Sequence, residues 1–171
     1  MPSQDGLPEN QLAPLHVFRF HVTFKRDNLP GASAPVAAVG LCSGAFAECT
    51  GLEATMEPKV IKAGGANYGA AQRVGPVTFA TVVLKRGMTS TRDLFNWFQL
   101  VAGGAYAYRL SAEIQMQDRL GKTVLTWGLA RALPVKFKAA DLNARGTEVG
   151  IEELHLAHEG LSLLDAPGGS S

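Results

Sequence analysis

Val77–Phe98 reads VTFATVVLKRGMTSTRDLFNWF, and how this stretch divides decides the fold. Val77 to Leu84 is β-branched and apolar, the composition of a strand, and Gly87 punctuates it. Ser90, with Asp93 three residues on, is an acidic variant of the capping box, in which Ser90 accepts from the Asp93 N–H. Leu94, Phe95, Trp97, Phe98 and Val101 then share a broad apolar helical face, and Gly103 and Gly104 stop it. The stretch predicts one strand over Val77–Gly87, a turn, and a helix near residues 90–102. It holds no nucleophile, metal ligand or phosphate cradle.

The flanking segments read as β. In LHVFRFHVTFKR, Phe18, Phe20, Val22 and Phe24 share one face, and Arg19, His21, Thr23 and Lys25 the other. That strict alternation marks a half-buried antiparallel strand. A Pro- and Ala-rich loop from Asp27 leads to a strand near Val39–Cys49. Leu52, Ala54 and Met56 then alternate with Glu53, Thr55 and Glu57, before the Gly-rich AGGANYGAA makes a turn or open loop. After the helix, Leu110, Ala112, Ile114 and Met116 alternate with polar neighbours, and DRLGK turns the chain into a strand carrying Leu125, Trp127 and Leu129. LPVKFKAADLNARG reads as a short strand and an irregular link, and TEVGIEELHLAHEGLSLL as one last strand. Its parity slips between Ile151 and Leu154, which predicts a β-bulge at Glu152 and Glu153. The fold expected is mainly β: two packed antiparallel sheets, sandwich- or barrel-like, with one helix. Residues 1–14 read as a flexible arm, 15–163 as the domain, and 164–171 as a flexible tail.

Composition narrows the function. The chain has 171 residues, 46% hydrophobic and only 18% charged, with a formal net charge of +1. That balance leaves no electrostatic footprint for nucleic acid or an anionic membrane, and it provides neutral surface suited to burial against other subunits. No apolar run is long enough to span a bilayer, and MPSQDGLPENQLAPLH lacks the basic and apolar regions of a signal peptide. Cys42 and Cys49 are expected as buried thiols of a reducing compartment.

Candidate chemistry is sparse. His155 and His158 could share a metal on a helix, but on a strand they point to opposite faces. The adjacent Glu152 and Glu153 diverge in the same way, so they read as solvated or interface charges rather than a glycosidase pair. Glu48, Glu53 and Glu57 read as an exposed strand face. The Gly-rich loop lacks the Lys-Ser/Thr and following helix of a phosphate loop. No acid, base and nucleophile converge, so neither an enzyme nor a cofactor or metal site is expected. A β-sandwich binding module for carbohydrate or peptide is the alternative. Such a module exposes aromatics on one face, and Tyr68, Tyr106 and Tyr108 are few.

The ordered motifs resemble a known family. Phe46 before Glu48, then Thr50, Gly51 and Leu52; the pair Gly64 and Gly65; the strand end Leu84, Lys85, Arg86 and Gly87; a helix with Leu94 and Trp97; then Trp127, Pro134, DLNARGTEVGIEELHLAHEGL and its closing Gly160 and Leu161: this set is similar to the tail tube proteins of contractile phages and related contractile injection systems. The likeness runs from about Leu15 to Leu163. Two features depart from the family pattern: the long loop from Asp27 to Val39, and Gly75-Pro76 where the family has Pro-Gly.

The resemblance implies a structural subunit. Such proteins form homohexameric rings that stack into a tube inside a sheath, with strands from each subunit joining in a barrel around a channel. The implied partners are copies of itself, contractile sheath subunits, baseplate, hub or spike proteins, and cargo or DNA in the lumen without sequence-specific binding. Assembly would take place in the bacterial cytoplasm, without a membrane, as part of a phage tail or injection particle. The extra loop and the AHEGL ending lean towards the first-ring tube initiator on the baseplate. The loops at Arg26–Val39 and Ala63–Arg73 are the expected ring-to-ring contacts.

Overall fold

A computed structural model describes residues 19–26, 38–39, 46–62, 64–65, 69–104 and 109–164. The expected terminal arm (1–14), most of the tail, the loop from Asp27, Cys42 and all three tyrosines lie outside the described residues. Among the described residues ten strands and one helix follow in order: β1 Arg19–Arg26, β2 Ala38–Val39, β3 Glu48–Thr50, β4 Ala54–Ile61, β5 Ala71–Phe79, β6 Val82–Gly87, α1 Asp93–Ala102, β7 Leu110–Gln117, β8 Thr123–Lys138, β9 Ile151–Ala157 and β10 Gly160–Leu164.

Two antiparallel sheets share β8. Its first half pairs with β7 on one side and β10 on the other, extending through β1 to β2; its second half pairs with β9, followed by β6 and β3. The strand turns the corner at Arg131, whose φ of 49° is left-handed, a conformation that costs a non-glycine residue energy. Glu159 holds the corner. Its carboxylate accepts from Arg131 Nε and Arg109 Nη1, both at 2.8 Å, and its own N–H donates to the Ala130 carbonyl at 2.9 Å.

The period-two patterns deliver the core. Val22 and Phe24 of β1, Leu110, Ala112 and Ile114 of β7, Val82 and Leu84 of β6, and Leu154 and Leu156 of β9 are all buried. Helix α1 seals this interior with Leu94, Trp97 and Val101. The Trp97 ring stands edge-on to Phe24, centroids 5.4 Å apart, and Phe95 packs on Phe137 at the same separation.

Several boundaries differ from the sequence expectation. Val77–Gly87 is not one strand: β5 ends at Phe79 and pairs with β4, whereas β6 begins at Val82 and pairs with β3 and β9. The helix begins at Asp93, and no Ser90 capping box forms. Arg92 occupies the N-cap without a side-chain cap, because Asp93 is drawn to Arg86 and takes its own neighbour's N–H, that of Leu94, at 3.1 Å. The bulge falls in β8 between Pro134 and Lys136, not at Glu152–Glu153, which keep regular register with Arg86 and Lys85. Proline has no N–H for the ladder, so the irregularity settles there. The last strand is two, β9 and β10, on different sheets, and the expected short strand before the link is the second half of β8. Ala71, Gln72 and Arg73, expected in a loop, belong to β5.

Candidate assembly surface

The β3–β4 segment pairs with β5–β6 as one long ribbon, and its two halves have opposite environments. The root, β3 with β6, is part of a sheet. The distal half, β4 with β5, stands off the body as a two-stranded arm. Every β4 residue is exposed, and so is β5 apart from half-buried Gly75 and Phe79. Cross-strand partners share a face. Met56 with Val77 and Pro58 with Val74 therefore make one face apolar, while Thr55 with Thr78 and Lys59 with Arg73 make the other polar. A lone two-stranded hairpin is marginal in water, and among the described residues nothing packs on this arm's apolar face.

Glycines shape it. Gly51 lies where the root becomes the arm, with φ +89°; a Cβ there would sit 2.1 Å from the Thr81 carbonyl oxygen. Only glycine accepts both constraints. Gly75 lies beside the register shift in the middle of the arm, where a Cβ would meet the Glu57 oxygen at 2.2 Å. Phe79, at the arm's base, packs on the His158 ring with centroids 5.2 Å apart. His158 Nδ1–H donates to the Gly160 carbonyl at 2.9 Å.

The neighbouring charged motif splits in two directions. Lys85 points outward to Glu48 at 3.0 Å. Arg86 points inward, 1% exposed, where it pairs with Glu152 and donates from Nη2 to Asp93 at 2.6 Å. Its guanidinium lies 5.9 Å from the centre of the Phe46 ring. Burial pushes the Asp93 carboxyl up, but Arg86's hydrogen bond and charge outweigh this and hold it below the ordinary value. Burial likewise pulls Arg86 down, and its two carboxylate partners more than offset that. Glu152 is thus a buried partner, which corrects its expected place among solvated charges. Glu153 does face outward and accepts from His155 at 3.3 Å. That hydrogen bond lowers its carboxyl against the opposing effect of burial, with help from Lys138 and Lys85. Burial pushes the Cys49 thiol up to about 11.

The structure thus distributes the sequence motifs rather than gathering them into a pocket. Phe46 and Arg86 meet; Leu84 is core, and Gly87 pairs with Ile151. Leu52 and Trp127 pack half-buried against the core, and Trp97 anchors α1. Gly64 and Gly65 lie in the arm's turn, and Gly160 opens β10, where a Cβ would press the Ala130 methyl at 3.3 Å. Sequence reasoning missed Asp93 and Glu152 as partners of Arg86, and it missed the arm. The arm's signal was the alternation at Thr55–Glu57 meeting the β-branched run at Val77.

Among the described residues, the sandwich carries a two-stranded arm whose apolar face is exposed. The chain belongs to the T4-like virus tail tube protein gp19 family, whose model matches residues 16–162. It is a tail tube protein of the contractile type. Among solved structures it is similar to a chain of the anti-feeding prophage (AFP) baseplate, at 25% identity over 90% of this chain and 97% of that one, with a TM-score of 0.69. It also resembles a chain of the sheath–tube complex of an extracellular contractile injection system, PVC, at 15% identity over 90% and 93%, TM-score 0.69. A chain of the AFP tube terminating cap matches at 15% over 90% and 92%, TM-score 0.66. No curated protein matches the chain.

Proposed function

We propose that this chain is a non-enzymatic subunit of the inner tube of a contractile injection particle or phage tail, forming hexameric rings that stack around a channel for cargo or DNA. Its place is the baseplate end, as the first ring on which the tube grows. One observation carries the reading: the β4–β5 arm exposes an apolar face that nothing among the described residues of a single copy covers. Family membership makes other tube subunits its natural cover, and the 25% identity to a baseplate chain favours the initiator position. Sheath subunits and hub or spike proteins are the further partners. The test is electron microscopy of the purified protein, alone and with its sheath and baseplate partners. Sixfold rings are expected, and tubes nucleated on the baseplate only when this chain is present. Isolated monomers under all these conditions, or tubes that start without it, would count against the proposal.

A further inference from the structure

The ribbon that carries the arm is interrupted in both of its strands at one level. On the β3–β4 side the break runs from Gly51 to Glu53, where Glu53 donates its N–H back to the Gly51 carbonyl at 2.8 Å. On the β5–β6 side it is Ala80 and Thr81, which belong to neither strand. The two breaks touch. Ala80 N–H donates to the Glu53 carbonyl at 3.1 Å, and the Thr81 carbonyl lies against Gly51. A few residues outside regular structure absorb changes of φ and ψ, which makes such a place a hinge. Something beyond the hinge therefore has to fix the direction of the arm.

Phe79, the last residue of β5, makes that contact. Its ring lies on the His158 imidazole, with centroids 5.2 Å apart and planes tilted by 41°. His158 sits at the corner between the two sheets and is itself held. Its Nδ1–H donates to the Gly160 carbonyl at 2.9 Å, and its neighbour Glu159 is tied to Ala130, Arg131 and Arg109. Nε2 is buried without a partner among the described residues, so on that side packing alone locates the ring. Among the described residues other than glycine, Arg131 alone has a positive φ. Such a conformation persists only where its surroundings over-determine it, and the ion cluster that does so also steadies His158.

We infer that His158 is a positioning residue: its ring is the seat that sets the direction in which the hinge lets the β4–β5 arm leave the body. With Phe79 on the ring the arm has one direction; with Phe79 off it, the hinge admits others. The seat is a property of a single copy. Its consequence for assembly rests on the tube reading above: a preset direction removes part of the ordering cost of any contact the arm makes.

Single-molecule fluorescence transfer at picomolar concentration reads the direction in isolated copies. Dyes go on Lys59→Cys in the arm and Lys136→Cys in β8, both exposed, in a chain carrying Cys42→Ser and Cys49→Ala. This parent should give one narrow transfer peak. His158→Asn keeps a side-chain N–H for the Gly160 carbonyl but removes the ring. It should lower the ratio of seated to displaced arms about 2–13-fold, the range an aromatic pair supports, seen as a broadened or second peak. Phe79→Ala removes the same contact from the arm side and leaves the corner untouched, so it should act alike, and the two changes together should do no more than either alone. His158→Phe restores a ring and gives up only the Gly160 bond, and it should return the narrow peak. A role limited to holding the corner predicts the opposite order, with Asn tolerated and Phe not. In light scattering His158→Asn should raise the concentration needed for assembly by up to the same factor, and His158→Phe should restore it. An unchanged peak in His158→Asn and Phe79→Ala, or one that His158→Phe does not recover, overturns the seat. Displaced arms that assemble at wild-type concentrations overturn its part in assembly. A wild type that never forms rings while the peaks behave as expected overturns the tube reading and leaves the seat standing.

Discussion

Arg86→Met is the perturbation that bears most directly on how the body is held. The guanidinium is 1% exposed and stands between Glu152, 7% exposed, and Asp93, 16% exposed. Removing it leaves two carboxylates facing one another in the protein interior. Breaking such a buried pair costs about 3–5 kcal/mol, because the surviving charges lose their compensation. Loss of the Phe46 contact adds roughly 0.5–1 kcal/mol. For a domain of this size each kcal/mol lowers Tm by about 2–4 °C, so the expected drop is roughly 7–24 °C in a thermal melt at pH 7. Arg86→Met with Glu152→Leu should recover about half of it or more, since an apolar pair of similar volume replaces the ion pair. The acid limb should move as well. In the wild type the Asp93 carboxyl is depressed below 3.8, so its stabilisation is complete above that value and is lost as pH falls through the folded pKa. Without Arg86, burial dominates and raises that carboxyl, and the variant should begin to gain from protonation where the wild type begins to lose. A drop under about 3 °C, a double variant no more stable than the single, or an unchanged pH profile would refute this account of the triad.

Four further outcomes follow from particular contacts. Trp97→Ala should cost about 3–5 kcal/mol in denaturant unfolding, whereas Trp97→Phe should cost under about 1.5 kcal/mol, because the indole N–H is buried without an acceptor among the described residues. Gly51→Ala combines φ +89° with a 2.1 Å approach to Thr81 and should cost about 1–3 kcal/mol from backbone strain alone, measured in the same unfolding series. Gly75→Ala should abolish assembly seen by light scattering yet leave the body's stability within about 0.5 kcal/mol, because its clash with Glu57 lies wholly within the arm. The Cys49 thiol, pushed up to about 11, should alkylate slowly at pH 8 in the folded protein and rapidly once unfolded, as followed by mass spectrometry of its peptide.

Much of the body was legible because its signals are local. The alternation in Val22–Phe24 and Leu110–Ile114 names the buried face directly, and the spacing of Leu94, Trp97 and Val101 names the helix face. The arm was harder. No glycine or proline marks Ala80 or Thr81, where β5 becomes β6, and the punctuation is instead at Gly51, whose contact is thirty positions along the chain. The corner of β8 is equally silent, since Arg131 adopts a left-handed φ without glycine's help and is held by Glu159 from the turn between β9 and β10. Glu152 looked solvated because an adjacent pair of glutamates usually is; its burial depends on Arg86, 66 positions away. Pairing energies between distant charges are not written in local pattern. Neither is the cover of the arm's apolar face, which the proposed assembly would supply from another molecule.

The adjacent residues Lys85 and Arg86 condense the logic of the chain. Alternation sends one to each side of the same sheet. Lys85 meets Glu48 in solvent, a contact worth little to stability, while Arg86 locks α1 and β9 together in the interior. The buried half of this basic pair is thereby consumed in holding the body rigid. The same division recurs at larger scale. The sandwich carries Arg86, Trp97 and the Glu159 corner, and it gains its stability within one copy. Among its described residues the arm carries no comparable contact beyond Phe79 on His158, so the apolar area of its exposed face would become stabilising only when covered. If the proposed assembly holds, folding of the body would be independent of concentration, whereas covering of the arm would be linked to assembly by mass action. On the proposed function, a chain divided in this way would fold first and assemble second.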